Sequence, residues 1–251
     1  MSGEPTPLEL QDTLYHSKNP TRRWIHTRRR ETIEGLLRSA APHRVARALE
    51  IGPGSGLYLP LLAELADEVV ASDIDPSFLD RAREQLAGNE KAQFVGDDIT
   101  HTHLSEAGFD LILCTEVLEH IPDWRAALAS MARLLRPGGA LVLSTPQPRS
   151  PLELLGKVAF RPGVITLVRA IYREPILETG HISLVSAHRL DRQLLSCGLR
   201  TEHRGWTGVY LPVIAELGGQ RALKLEQALE PRWQRRPLRG LLWTQYVVAR
   251  R

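Results

Sequence analysis

A glycine-rich segment between an apolar run and a helical pattern is the first place where the chain could bind a ligand. It reads Glu50-Ile51-Gly52-Pro53-Gly54-Ser55-Gly56. Glycines let the backbone turn sharply there and let a ligand approach without meeting a Cβ atom. The helix that follows would add unpaired N–H groups and the positive end of its dipole. The segment therefore predicts a binding loop for a small molecule.

Acidic side chains end the next two apolar runs, and their spacing indicates what the loop binds. Asp73 lies 17 residues after Gly56, and Asp97 ends the run that follows. A carboxylate at the position of Asp73 can accept hydrogen bonds from both hydroxyls of a ribose. A pyrophosphate-binding G-x-G-x-x-G loop would need a third glycine where Leu57 stands, and Glu50 would repel a pyrophosphate. The pattern favours a nucleoside that carries an ammonium and a sulfonium group over a dinucleotide.

The elements that must hold these residues alternate between strand and helix. Apolar runs predict strands at 45–51, 68–73, 92–96, 109–114 and 140–144. Helical patterns occur at 57–66, 76–86 and 124–135, followed by a helix at 187–196 and strands at 199–206 and 241–249. This alternation is typical of a doubly wound α/β fold, in which a mostly parallel sheet carries helices on both faces. The carboxyl ends of its strands share one edge, where such folds bind ligands.

Composition and charge limit the class of protein. The chain has 251 residues, of which 43% are hydrophobic and 24% charged, and its two cysteines show no metal-ligand spacing. Because it lacks a long uninterrupted apolar run and an apolar leader, we expect no membrane span, no secretory signal and a cytoplasmic location. Residues 46–145 carry 16 acidic and 7 basic side chains, whereas the flanks carry 13 and 25. The basic flanks either mix charge for solubility or form a face for an anionic partner.

Five motifs occur in a fixed order along the first part of the chain. They are the loop 50–56, Ser72-Asp73-Ile74-Asp75-Pro76, Gly96-Asp97-Asp98, the segment 109–120 and Leu135-Arg136-Pro137-Gly138-Gly139. Together they resemble class I S-adenosylmethionine-dependent methyltransferases, and most of all small-molecule enzymes such as the ubiquinone-biosynthesis O-methyltransferases. The resemblance covers about 45–146 and, more loosely, 180–204. It implies a Rossmann-like, seven-stranded, mostly parallel sheet whose last strand, 241–249, is antiparallel, and it implies S-adenosyl-L-methionine as the cofactor.

The resemblance also implies which residues hold the methionine part of the cofactor. The residues that would cradle it are Glu50, Gly52, Gly54 and Gly56. Thr115 and Glu116, just past the fourth strand, would border the sulfonium.

The nucleoside part of the cofactor would lie against the ends of the second and third strands. By the same resemblance, Asp73 would bind the ribose and Ile74 would pack on the adenine. Asp97 would accept a hydrogen bond from the adenine amino group, with the backbone of Asp98 nearby.

Two histidines are candidates for the general base that a hydroxyl acceptor would need. His120 lies beside the expected methyl position, and His181 follows an insertion where this family often closes over the acceptor. Either could accept a proton, and either could instead fix a loop through a hydrogen bond. Glu119 is expected to pair with a basic group or to cap a turn. Because the sequence shows no set of metal-binding acids, we expect metal-independent transfer to a hydroxyl, with nitrogen and carbon acceptors left open.

Two parts of the chain lie outside the motifs. Residues 1–44 are expected to form an N-terminal helical extension, with arginines clustered at 22–30. Residues 45–251 form the methyltransferase domain, with insertions at about 150–178 and 209–239. Two amphipathic helices with a Pro-Gly hinge would explain the first insertion, which covers the core, closes over a hydrophobic acceptor or lies on a membrane. The arginine cluster is either a solvated helix over the sheet edge or an anion-facing surface.

Three other interpretations compete with methyl transfer to a small-molecule or lipid acceptor, either hydrophobic or anionic. A non-catalytic S-adenosylmethionine-binding scaffold would share the fold, but the intact loop and acids disfavour it. A nicotinamide-dependent oxidoreductase is disfavoured by the glycine spacing and by the lack of a Tyr-x-x-x-Lys pair. A nucleic-acid partner is not expected, since no recognised binding module occurs. Peripheral membrane contact, the acceptor and the oligomeric state are left open.

Overall fold

Seven strands form one sheet in the order β3-β2-β1-β4-β5-β7-β6. The computed structural model describes residues 14–159, 180–235 and 237–251. The strands are β1 (Val45–Ile51), β2 (Ala66–Asp73), β3 (Ala92–Gly96), β4 (Phe109–Thr115), β5 (Leu135–Pro146), β6 (Arg200–Thr207) and β7 (Thr244–Arg250). Strand β7 pairs antiparallel with both β5 and β6, and the pairs among β1 to β5 are parallel. The predicted seven-stranded sheet with an antiparallel last strand is confirmed.

The sheet is buried on both faces, and successive residues of each central strand show it. In β1, Leu49 and Ile51 belong to the core on one face, whereas Ala48 belongs to the core on the other. In β4, Ile112 and Leu113 divide between the two cores in the same way. Side chains alternate across a strand, so a strand buried on both faces reads as a continuous apolar run. This is why the strands could be located from the sequence.

Helices cover both faces of the sheet. They are α1 (Pro20–Ala40), α2 (Leu59–Leu65), α3 (Pro76–Gln85), α4 (Trp124–Leu134), α5 (Pro151–Ala159), α6 (Ala187–Ser196) and α7 (Pro212–Trp233). Polar side chains cap three of them at the N-terminus: Asn19 on α1, Asp75 on α3 and Asp123 on α4. Such caps satisfy N–H groups that have no partner inside the helix. None of the helices in the described part of the chain is long and apolar enough to cross a bilayer.

The motif 135–139, which lies between the predicted helix and the predicted strand at 140–144, is part of β5. The helix ends at Leu134, and the segment 136–139 lies within the strand, where the pairing with β4 is irregular between Phe109 and Leu111. A Cβ atom on Gly139 would lie 3.1 Å from the carbonyl oxygen of Phe109. The strand therefore begins five residues earlier than the apolar run at 140–144 indicated, because the glycine lets a bulged backbone stay against β4.

The two predicted insertions have different outcomes. The segment 209–239 is mostly helical: α7 consists of two helical parts that meet at the non-helical Gly219 (φ 49°, ψ −128°), and it packs against α1. The first helix expected in 150–178 is present as α5. The predicted Pro-Gly hinge and the second helix fall in 160–179, outside the described residues.

Four arginines of α1 form ion pairs with acids of the same chain. The pairs are Arg22–Glu216 at 2.9 Å, Arg28–Glu230 at 3.4 Å, Arg29–Glu116 at 2.6 Å and Arg30–Glu34 at 2.7 Å. Three of these acids lie far away in the sequence, on α7 or after β4. Because each of these positive charges is met by an acid of the same chain, they offer little field to an anionic surface. The ion pairs therefore give no support to an anion-facing surface formed by these four side chains.

The Arg29–Glu116 pair differs from the exposed pairs because both of its side chains are mostly buried. Removing one partner of a buried pair leaves an uncompensated charge, which typically costs about 3 kcal/mol or more. We expect Arg29→Met to lower the free energy of unfolding by about that amount. Arg30→Met, which removes an exposed pair on the same helix, is the control and should cost less than about 1 kcal/mol. Chemical denaturation measures both, and equal losses would contradict a structural role for Arg29.

Candidate functional site

The predicted binding loop joins β1 to α2 in a conformation that needs its glycines. Gly52, Gly54 and Gly56 have φ values of 67°, 54° and 77°, in the left-handed region that side chains with a Cβ rarely adopt. The loop is also crowded, since a Cβ atom on Gly52 would lie 2.3 Å from Cγ2 of Val117. Val117 follows β4, so this contact brings the ends of β1 and β4 together. The glycines thus serve both the turn and the close approach.

Glu50 lies beneath this loop as a buried acid. Only 1% of its surface is exposed, and its Oε2 atom has no hydrogen-bond partner among the described residues. Burial raises the pKa of Glu50 well above the usual range. A buried carboxyl group with an unpaired oxygen is costly unless a cationic or donor group binds it. Its position therefore suits a positively charged ligand in the loop.

Asp73 and Asp97 are neighbours at the carboxyl ends of β2 and β3. Oδ1 of Asp73 accepts a hydrogen bond from the backbone of Asp75 at 2.9 Å, and burial raises the pKa of Asp73. Oδ1 of Asp97 accepts from the backbone N–H of His103 at 3.0 Å, whereas its buried Oδ2 has no partner among the described residues. Each acid is thus fixed by its own loop. Asp97 also keeps one buried oxygen that a ligand could use.

The two residues that follow these acids are placed differently. Ile74 is 75% exposed at the sheet edge, where an apolar side chain can lie against the face of an aromatic ring. The Asp98 carboxylate accepts from the backbone and hydroxyl of Thr100, and these hydrogen bonds lower the pKa of Asp98. The Asp98 side chain is therefore engaged in its own turn, which leaves its backbone as the part that could face a ligand.

Thr115 ends β4, and Glu116 follows in a left-handed conformation with φ 54°. Oε1 of Glu116 accepts from the Ser144 hydroxyl at 2.8 Å, and Oε2 pairs with Arg29 at 2.6 Å. The carboxylate expected beside the sulfonium thus already has two partners within the chain. Nothing near Arg29 or Ser144 in the sequence indicates this contact, which depends on how α1 and β5 meet β4.

Glu119 and His120 lie on a short 3₁₀ turn, Leu118–His120, and the chain returns to pair with it. The backbone carbonyl of Glu119 accepts from the N–H groups of Ile182 and Ser183, both at 2.9 Å. This pairing brings the His181 ring to 5.2 Å from the His120 ring, centroid to centroid. The two histidines, 61 residues apart in sequence, therefore meet at the carboxyl edge of the sheet.

Burial lowers the charge of this cluster. It raises the pKa of Glu119 well above the usual range, with the nearby Glu116 adding to the effect. It also lowers the pKa of His120, helped by His181. Contrary to expectation, the Glu119 carboxylate forms no ion pair and caps no turn within the described residues, and it accepts from the Thr145 hydroxyl at 3.0 Å. The environment favours a neutral Glu119 and a neutral His120.

His181 has a carboxylate partner that the sequence did not indicate. Its Nδ1 atom lies 3.1 Å from both oxygens of Glu153, which is in the first turn of α5. The side chains of His181 and Glu153 are 11% and 9% exposed. The indole N–H of Trp243 also donates to Oε1 of Glu153, at 3.4 Å. The first insertion thus supplies a side chain to the candidate site.

Ligand atoms of Glu119, His120 and His181 lie within 4.8 Å of one another, so the three could share a small cation. The same side chains also suit a purely hydrogen-bonded cluster, because burial favours neutral Glu119 and His120 and because Nδ1 of His181 faces Glu153. Metal-independent chemistry at this edge remains a prediction.

The arrangement around the loop fits a nucleoside with positive charge. Glu50 and Asp97 each present a buried oxygen without a described partner, and Ile74 presents an exposed apolar surface. A nucleoside with a cationic tail would need one acid near its charge, one near its base and an apolar surface for its ring. These two acids and the apolar side chain therefore fit S-adenosyl-L-methionine.

Comparison with protein-family models gives one match to most of the chain. A model described as a methyltransferase domain matches residues 24–204. The ubiquinone biosynthesis O-methyltransferase of Xanthomonas oryzae is 37% identical over 102 residues, which is 40% of this chain and 43% of that protein. An uncharacterised methyltransferase of Mycobacterium bovis is 36% identical over 112 residues, which is 45% of this chain and 56% of that one. The matches to these relatives span only about half of their length.

Solved structures share the fold along nearly the whole chain. The N-methyltransferase NodS of Bradyrhizobium japonicum, in complex with S-adenosyl-L-homocysteine, has a TM-score of 0.61 and 20% identity, covering 97% of this chain and 94% of that one. A putative sarcosine dimethylglycine methyltransferase of Galdieria sulphuraria has a TM-score of 0.62 and 16% identity, covering 91% and 87%. At these identities the likeness shows a common fold and does not identify an acceptor.

The Gly52–Val117 contact leads to a test of the loop. We expect Gly52→Ala to weaken binding of S-adenosylmethionine at least about tenfold, since the new Cβ would displace Val117 and strain the backbone. Gly198→Ala is the matched control: Gly198 also has a positive φ, of 78°, but a Cβ atom there would meet no described atom within 4 Å, and it lies between α6 and β6. Calorimetry should show unchanged affinity in the control. Equal losses of affinity in the two variants would contradict the role of the glycine loop in binding the cofactor.

Proposed function

This chain belongs to the class I S-adenosylmethionine-dependent methyltransferases, and we propose that it transfers the methyl group to a hydroxyl of a small-molecule or lipid acceptor. The cofactor supplies an electrophilic methyl group on a sulfonium. The protein has to align donor and acceptor, exclude water and accept the hydroxyl proton. The proposal of a hydroxyl acceptor rests on the pair of imidazoles, His120 and His181, at the edge where the strands end.

The assignment of cofactor-binding residues follows the carboxyl edge of the sheet. In this proposal Glu50 lies near the ammonium group, and the glycine loop holds the methionine part. Asp73 accepts from the ribose, and Asp97, with the Asp98 backbone, binds the adenine. Ile74 covers one face of the adenine ring. The residues of this assignment are Glu50, Gly52, Gly54, Gly56, Asp73, Ile74, Asp97, Asp98, Thr115 and Glu116.

Glu116 has a changed role in this assignment. Its carboxylate is paired with Arg29 and Ser144, so we place it as a support for the segment that borders the sulfonium. Its left-handed backbone turns the chain from the end of β4 into the 3₁₀ turn that carries His120. Strained backbone of this kind concentrates at functional sites, where surrounding contacts hold it in place.

The acceptor in this proposal has an apolar part. Ile182, next to His181, is 63% exposed, and Leu154 and Leu155, next to Glu153, are about half exposed. Large apolar side chains in contact with water, next in sequence to the candidate base or to its carboxylate partner, suit the body of a hydrophobic substrate. The similarity to ubiquinone biosynthesis O-methyltransferases also supports a hydrophobic acceptor. A hydrophobic phenol or a lipid hydroxyl is therefore the acceptor class to test first.

The charge state of Glu50 predicts that binding of the cofactor releases a proton. In the ligand-free protein, burial holds the pKa of Glu50 high, so its carboxyl is protonated over a wider pH range than usual. A cationic ligand favours the carboxylate, so affinity should rise with pH up to that raised pKa and then level off. Calorimetry in two buffers of different ionisation enthalpy measures the release. Glu50→Gln should abolish the proton release, whereas Glu64→Gln, at an exposed glutamate, is the control and should not change it. If the wild type showed the same binding enthalpy in both buffers, the role of Glu50 would be contradicted.

The function itself is tested by titration and then by turnover. We expect S-adenosylmethionine to bind and NAD not to bind, and we expect methyl transfer to a hydrophobic phenol or a lipid extract to persist with a chelator present. Asp73→Ala should weaken binding of the cofactor about 100-fold or more, because two charge-assisted hydrogen bonds are lost. Asp80→Ala, on the exposed surface of α3, is the control. Binding without transfer to any acceptor would favour the scaffold alternative, and loss of transfer with the chelator would overturn metal independence.

A further inference from the structure

The two histidines at the sheet edge have different partners. The His120 ring lies against Gly180, where an added Cβ atom would be 3.8 Å from its Nδ1 atom. His181 instead presents Nδ1 to both oxygens of Glu153, at 3.1 Å each, with both side chains close to fully buried. Among the described residues, a carboxylate lies at hydrogen-bonding distance from the His181 ring, whereas the Glu119 carboxylate near the His120 ring forms its hydrogen bond with Thr145. The two rings are therefore chemically unequal.

The carboxylate determines which nitrogen of His181 carries the hydrogen. An ionised carboxylate can only accept hydrogen bonds, so Nδ1 must carry the N–H that faces Glu153. The other ring nitrogen, Nε2, then keeps its lone pair and can accept a proton. A carboxylate in this position also stabilises the imidazolium that forms when Nε2 is protonated. His181 is thus prepared to act as a base through one defined atom.

Glu153 is itself held in place by its surroundings. Its backbone N–H donates to the Ser150 hydroxyl at 3.3 Å, at the start of α5. Trp243 donates its indole N–H to Oε1 at 3.4 Å. The Trp243 ring contacts the His26 ring edge-on, at 5.4 Å between centroids, and the Arg29 guanidinium lies 5.2 Å from its centroid. A carboxylate held by packed neighbours can fix the orientation of a second side chain.

We propose that Glu153 is a positioning residue that holds His181 in the Nδ1–H tautomer, so that Nε2 of His181 is the general base of methyl transfer. The proposal rests on the hydroxyl acceptor proposed above. As the acceptor oxygen bonds to the methyl carbon, the bond from that carbon to sulfur breaks and its electron pair stays on the sulfur, which becomes a neutral thioether. The hydroxyl proton passes to Nε2. Glu153 stays ionised and shares the Nδ1 hydrogen.

This assignment gives α5 a direct part in the reaction. The helix belongs to an insertion whose sequence suggests only a cover, a lid or a membrane contact. In the structure its first turn supplies the carboxylate that orients the base. His120 becomes the neutral neighbour that packs against the base, consistent with the lowering of its pKa by burial and by His181.

The test reads the tautomer directly and needs neither cofactor nor acceptor. Protein labelled with ¹⁵N-histidine is compared by long-range ¹H–¹⁵N spectroscopy in the wild type and in Glu153→Leu and Glu153→Gln, with His181→Gln to identify the resonances. We expect the wild-type ring to be Nδ1–H. Glu153→Leu has no acceptor and should shift the ring towards Nε2–H, whereas Glu153→Gln retains an amide oxygen and should largely preserve Nδ1–H. A wild-type ring in the Nε2–H form, or no change in Glu153→Leu, overturns the proposal.

Kinetics separate positioning from folding. With a hydrophobic phenol as the acceptor, Glu153→Leu should lower kcat about 100-fold, since positioned bases contribute about that much or more. The dissociation constant of S-adenosylmethionine should stay the same, which also shows that the variant is folded, and Glu153→Gln should recover part of the rate. Glu64→Leu, at an exposed glutamate, is the control. Equal losses of kcat and cofactor affinity overturn the positioning role.

The two proposals can fail separately. If the wild type transfers no methyl group to any hydroxyl while Glu153 still determines the tautomer, the hydroxyl acceptor is wrong and so is the role of Nε2 as its base. If transfer to a hydroxyl occurs and the tautomer is insensitive to Glu153, only the positioning role is overturned.

Discussion

The buried ion pair between Arg29 and Glu116 is the contact on which the rest of the candidate site depends. Glu116 has a left-handed backbone, which costs a residue with a side chain roughly 1–2 kcal/mol. Its carboxylate is held by Arg29 and by Ser144, and these two contacts offset that strain. The next residue, Val117, packs against the glycine loop, and the 3₁₀ turn that follows carries His120. This one turn of backbone thus positions both Val117, which packs against the glycine loop, and His120, one of the two candidate bases.

Contacts continue from this ion pair to the second candidate base. The Arg29 guanidinium lies over the Trp243 ring, Trp243 donates to Glu153, and Glu153 faces His181. These residues come from the N-terminal helix, the segment before the last strand, the insertion after β5 and the segment before α6. The parts of the chain outside the sheet motifs therefore converge on one edge of the sheet. In the proposed enzyme they form the acceptor side of the site, and the motifs form the cofactor side.

Buried acids at this edge lower the stability of the ligand-free protein. Glu50, Asp97 and Glu119 each have a buried oxygen without a hydrogen-bond partner among the described residues. Buried polar atoms of this kind are rare in protein cores because desolvation is costly. Conflicts between stability and local rules tend to occur where a ligand binds. In the proposed assignment the cofactor would supply the missing partners of Glu50 and Asp97, whereas Glu119 belongs to the segment beside the two histidines.

The sequence by itself determined the order of strands and helices, the doubly wound sheet and the glycine loop with its following acids. Each of these depends on neighbours along the chain: buried strands read as apolar runs, and a left-handed turn needs glycine. Only the tertiary structure decided that Arg29 pairs with Glu116, 87 residues away, and that Glu153 reaches His181, 28 residues away. It also decided that the 209–239 segment is mainly helical and packs on α1. These partners are chosen by how helices and insertions pack, and no local pattern of residues encodes that choice.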